Sequence, residues 1–91
     1  MAAFRITKAY TMSREEVREA AEGLAASLER QHGVRSRWEG DSVRIKGAGV
    51  DGTLSFHDGL IDVSVSMGLL ASMFAPVLKT EVQRYLDTHV T

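Results

Sequence analysis

Between Trp38 and Met67 apolar and polar side chains alternate in three runs, broken by Gly40-Asp41, Gly47-Ala48-Gly49 and His57-Asp58-Gly59. A period of two punctuated by glycine turns predicts an antiparallel meander with one buried face. Val34, Ser36 and Trp38 alternate with Arg35, Arg37 and Glu39, and Val43 and Ile45 with Arg44 and Lys46. Leu54 and Phe56 then face in against Thr53, Ser55 and His57, and Ile61, Val63 and Val65 face in against Asp62, Ser64 and Ser66. An earlier run, Phe4 to Tyr10, sets Phe4, Ile6 and Tyr10 against Arg5, Thr7 and Ala9. It is expected to lie beside the last strand of the meander. Gly47, Gly49 and Gly52 cluster where two strands join, so a bulge or sharp bend is expected to curve the sheet there.

Two stretches carry the helical period instead. Ser13 and Glu16 form a capping box, flanked by Met12 and Val17 at the staple positions. Val17, Ala20, Ala21, Leu24 and Leu28 draw one apolar stripe, with charges opposite it, and Gly33 suits the left-handed residue that ends such a helix. The alanines, with Gly23 beside them, are expected to let this helix lie close to the sheet. After Met67-Gly68, residues Leu70, Met73, Phe74, Val77, Leu78, Val82, Tyr85 and Leu86 recur at helical spacing. They predict a closing helix over 73–89 with Ser72 as its cap and Pro76 in its first turn. The expected fold is α+β and one domain over 1–91: a single curved antiparallel sheet of about five strands, in the order β-α-β-β-β-β-α. Both helices should lie on the one apolar face, the other face being left to water.

Composition narrows the function. Ninety-one residues give one core, which buries roughly 60–65% of the unfolded surface. With no cysteine there is no disulfide framework and no thiolate chemistry. The chain enters alternation at once, without the apolar core of a signal peptide, and no apolar run is long enough to span a bilayer. A cytoplasmic protein is expected. Eleven basic and twelve acidic residues give a net charge of −1, which argues against general nucleic-acid binding.

Candidate chemistry is sparse. His32, His57 and His89 share no metal-ligand spacing, and His32 reads as a helix-end cation favoured by the dipole. Gly47 to Gly52 reads GAGVDG, which lacks the Gly-Lys-Ser/Thr ending of a phosphate loop and joins two strands. Asp51 and Asp62 fall on the outward face as surface charge. No catalytic, metal or cofactor site is expected.

Two surface features remain. Arg35, Arg37, Arg44 and Lys46 collect on the outward face of adjacent strands, with Arg5 a candidate neighbour, and this basic patch can receive an anionic partner or simply be solvated. Residues 67–78, MGLLASMFAPVL, carry no charge. Leu69, Leu70, Met73 and Phe74 exceed what one helical stripe can hide. They either plug the end of the sheet or form an exposed patch for a second copy, a partner protein or a hydrophobic surface.

Three stretches resemble the polyhydroxyalkanoic acid system protein family: TMSREEVREAAEGLA, WEGDSVRIKGAGVDGTLSF and VSVSMGLLASMFAPVLKTEVQRYLD. The family comprises small bacterial proteins encoded near genes for polyester storage granules. The resemblance runs from Phe4 to Leu86 and is most specific at Trp38-Glu39-Gly40-Asp41, Gly49-Val50-Asp51-Gly52 and Met67-Gly68-Leu69-Leu70. The family pattern has histidine where this chain has Tyr10 and leucine where it has Met67, so no histidine chemistry carries over to position 10. The resemblance implies a non-enzymatic accessory or regulatory role at the polyhydroxyalkanoate granule, with the granule, a granule-associated protein or a homodimer as partner. It also fits a reduced helix-grip architecture. A second reading is a small-ligand module, holding an acyl chain in a cavity between sheet and closing helix lined by Trp38, Phe56 and Val65. Such a cavity would exceed roughly 300 Å³.

Overall fold

Every alternating run becomes a strand, the four strands of the meander pair antiparallel through their turns, and the first strand pairs antiparallel with the last of them. A computed structural model describes residues 2–91 of the chain. In order come β1 (Ala2–Ala9), α1 (Arg14–His32), β2 (Arg35–Glu39), β3 (Ser42–Gly47), β4 (Val50–His57), β5 (Leu60–Met67), a 3-10 turn (Ala71–Phe74) and α2 (Ala75–His89). The sheet runs β1-β5-β4-β3-β2, so the first strand does lie beside the last. Strand β1 begins two residues earlier than its alternation suggested and ends at Ala9. Tyr10 lies just past it and donates its N–H to the Gly59 carbonyl at 2.8 Å.

One face of the sheet is dry. Ile6, Val43, Ile45, Leu54, Phe56, Ile61, Val63, Val65 and Met67 are buried there, in one cluster with Val17, Leu24 and Leu28 of α1 and Leu78, Val82 and Leu86 of α2. Both helices therefore cover the same face, and hydroxyls and charges occupy the other. Lys8 also points to the apolar face, opposite Ile61. Because β1 is an edge strand, its stem lies along the core while the ammonium reaches Asp87 of α2 at 2.9 Å. That bond, with a second from Gln83, holds the Asp87 carboxyl below its ordinary range.

The capping box of α1 is present in both directions, and Gly33 closes the helix at φ 70°. Gly23 proves to face α2 rather than the sheet: a Cβ there would strike the Tyr85 hydroxyl. Tyr85 fills that gap and stacks on His89, ring centroids 4.1 Å apart. Burial pushes its phenol upward.

The glycine cluster is not a bulge. Register runs unbroken from Gly47↔Val50 to Ser42↔Ser55, with Gly52 paired inside β4. The reversal is a two-residue turn, Ala48 at φ 52° and Gly49 at φ 78°, the type I′ geometry that matches strand twist. Gly52 keeps the inner face low instead, since a Cβ there would press on the Ser64 carbonyl and Val65.

The closing helix also starts differently. An α-helix capped by Ser72 would take its first hydrogen bond from the N–H of residue 76, and Pro76 has none. Ala75 N–H meets the Ser72 carbonyl in a 3-10 bond, and α2 starts at Ala75 with Pro76 in its first turn. The Ser72 hydroxyl caps nothing; it donates to the Gly68 carbonyl at 2.8 Å.

Candidate functional site

Three chain reversals and two helix termini meet where β5 runs out at Met67. The Ala48-Gly49 turn, the α1–β2 link at Gly33-Val34 and the Gly68–Leu70 link to the 3-10 turn share this end of the sheet. Gly68 donates to the Gly49 carbonyl at 2.9 Å, and Ser72 N–H returns to Gly68 at 3.0 Å. Ala71 sits against the turn so closely that a Cβ at Gly49 would come within 3.1 Å of its own. The 3-10 turn is thus held by its backbone and its one small inward residue.

Its large side chains are left outside. Leu69 is 78% exposed, Leu70 82%, Met73 77% and Phe74 61%, and Val77 in the first turn of α2 adds 52%. The plug expected as one reading of this segment does not form. The buried stripe of α2 is already filled by Leu78, Val82 and Leu86 at i, i+4 and i+8. Leu70 and Phe74 instead flank a groove of about 540 Å³ floored by Val50, Met67 and Leu78. His32 and Gln31 stand at its rim, with His32 Nε2 2.7 Å from a Glu81 carboxylate oxygen, so the helix-end histidine has an acidic partner across the α1–α2 seam. From Gly68 to Leu78 no residue carries a charge.

The four cations fall where alternation put them. Arg35 stands directly opposite Lys46 and Arg37 opposite Arg44, all on the wet face of β2 and β3. Like charges in cross-strand register are destabilising. Asp51 on β4 reaches only Arg44, at 3.3 Å, and among the described residues Arg35, Arg37 and Lys46 have no ion-pair partner. Arg5 is not part of this group. It lies on β1 at the far side of the sheet, where its guanidinium donates to Asp62 at 3.0 Å and holds that carboxyl below its ordinary range.

The interior is nearly full. The space enclosed by α1, α2 and the middle of the sheet is about 20 Å³ and touches neither Trp38 nor Phe56. It admits a single water, not an acyl chain. Trp38 packs edge-on against Phe56, centroids 6.4 Å apart, under the Arg18 guanidinium. Among the described residues no group of three acidic or histidine side chains is placed to hold a metal, and no helix is long and apolar enough to cross a membrane.

A family model described as "putative polyhydroxyalkanoic acid system protein" matches residues 4–90. The chain belongs to that family. No curated protein and no solved structure is significantly similar to it. The match covers both helices and nearly the whole sheet, apolar segment included. The missing charges and the surplus over one helical stripe marked Leu69, Leu70, Met73 and Phe74 in the sequence. Ala48 and the groove were not marked, because they arise from the turn that brings residue 48 beside residue 70.

Proposed function

We propose that this chain is a non-enzymatic accessory protein of the polyhydroxyalkanoate storage system, which acts by presenting its uncharged end to the granule. The carrying observation is that five large apolar side chains, from Leu69 to Val77, stand more than half exposed with no charge among them. Each such side chain gains about 1.5–3 kcal/mol when removed from water, so together they form an adhesive surface that the fold itself does not use. The polyester, a granule-associated protein and a second copy of the chain are all apolar enough to cover it. A cytoplasmic, granule-associated location follows from this reading.

Particles of bare polyhydroxybutyrate test it. Wild-type protein is expected to sediment with them or to self-associate through the same residues, and Leu70→Asp with Phe74→Asp to abolish either behaviour while leaving the fold intact. If the double variant neither changes assembly nor reduces particle binding, the reading is wrong.

A further inference from the structure

The molecule measures 37 × 21 × 20 Å. Its long axis follows the strands and α1, whose 19 residues span about 28 Å. The uncharged end is therefore one of the two narrow ends. Its cross-section is only 21 × 20 Å between backbone positions, a small contact for two copies meeting tip to tip when a stable protein interface buries about 1,200–2,000 Å².

Cations border that tip on two sides. Arg35 follows Val34 directly at the α1–β2 link, and Lys46 precedes the Gly47–Val50 turn, opposite it. Lys79 is exposed one turn into α2. The acids nearest the tip are engaged, Asp51 with Arg44 and Glu81 with His32. Arg35 faces only Lys46 across the strands, and Lys46 has Asp51 as its neighbour on β4, but the Asp51 carboxylate bonds Arg44 instead, so neither Arg35 nor Lys46 is ion-paired among the described residues. An apolar wedge bordered by cations matches an anionic lipid interface, whose headgroups neutralise the basic residues while its acyl region takes up the apolar ones.

We propose that this end docks on an anionic lipid surface, with Leu69, Leu70 and Phe74 inserted and Arg35, Lys46 and Lys79 at headgroup level. The orientation is end-on, leaning toward the β2–β3 edge so that Arg37 and Arg44 face the surface at longer range. This rests on the reading of the tip as an adhesive surface and names its partner as lipid rather than polymer or protein.

Sedimentation with vesicles tests it. Protein is expected to bind vesicles of equal parts phosphatidylcholine and phosphatidylglycerol, and to bind phosphatidylcholine alone far more weakly. Arg35→Gln with Lys46→Gln should weaken anionic binding by roughly twentyfold. Leu70→Asp with Phe74→Asp should weaken it by roughly a hundredfold or more. In a Leu70→Trp variant, brominated acyl chains should quench the introduced indole but not Trp38, which lies toward the opposite end of β2. Equal binding to both vesicle types, no binding to either, or indifference to the arginine and lysine changes would overturn the proposal. The two readings fail separately. If the tip variants lose polyester binding while vesicles are ignored, only the lipid assignment falls; if they change nothing on particles, vesicles or assembly, the adhesive tip falls with it.

Discussion

At one end of the sheet the Gly40-Asp41 and Asp58-Gly59 turns are tied into the rest of the chain, while at the other the Ala48-Gly49 turn and the 3-10 turn are tied mainly to each other. Asp41 pairs with Arg14 of α1, and its carbonyl accepts from Phe56 N–H at 3.2 Å. Thr11 donates both its N–H and its hydroxyl to the Thr91 carbonyl, at 2.9 and 2.8 Å, and Val90 beside it is buried. The opposite end has the Gly68–Gly49 bond and the local bonds of Ser72. The two matching turns make the contrast sharper. Asp58 at φ 50° and Ala48 at φ 52° adopt the same left-handed conformation. Aspartate tolerates it through local hydrogen bonding, whereas alanine is strained there by about 1–2 kcal/mol. A polar residue would relieve that strain. This chain keeps a methyl group, on the wall of the groove beside Leu70. One end is closed by hydrogen bonds and an ion pair, while the other leaves its large apolar side chains in water.

The largest expected difference between the ends comes from their phenylalanines. Phe56 is 1% exposed, so Phe56→Ala should cost about 3–5 kcal/mol of unfolding free energy in urea. Phe74→Ala should change it by about 0.5 kcal/mol or less, because the ring is already in water. A large loss at Phe74 would mean that the tip is part of the core. Glycine turns give the next effect. Gly59→Ala and Gly49→Ala should each lose about 1–2 kcal/mol from positive φ. Only Gly49→Ala should also raise hydrogen exchange in residues 68–74, since its methyl presses on Ala71. Relieving the strained turn has the opposite sign: Ala48→Asn should gain about 0.5–1 kcal/mol in denaturant while weakening adhesion at the tip.

The smallest effect belongs to the wet face between the ends and serves as a control. The Arg5 hydrogen bond lowers the Asp62 pKa in the folded state relative to the unfolded value of about 3.9. The pair's stabilisation is thus complete above that pH and is lost as pH falls through the folded value. Urea midpoints measured across the acid range should show this loss in wild type and a flatter profile in Arg5→Gln, with the tip unaffected.

Strand pairing was legible because a period of two leaves one register that buries Val43, Ile45, Leu54, Phe56, Ile61 and Val63 together. The first helix was legible because Ser13, Glu16 and Gly33 each act locally. What the alternation did not reveal depended on contacts distant in the chain. Lys8 breaks the apolar face of β1, and only the presence of Asp87 across the edge accounts for it. Gly23 reads as a helix packed closely on a sheet until Tyr85 occupies the gap. The missing N–H of Pro76 shifts the helix start, and with it Ser72, although the proline itself was plain in the sequence. The surplus of apolar residues after Gly68 was visible as composition, but their exposure was not. It depends on Leu78, Val82 and Leu86 having filled the stripe first.

Amide hydrogen exchange of the intact protein, with and without polyhydroxybutyrate particles, tests the central claim most directly. Adhesion through the uncharged end predicts new protection confined to residues 68–77 and the Ala48-Gly49 turn, with the Asp41 and Asp58 turns unchanged. Protection centred on those aspartate turns, or none anywhere, would contradict it.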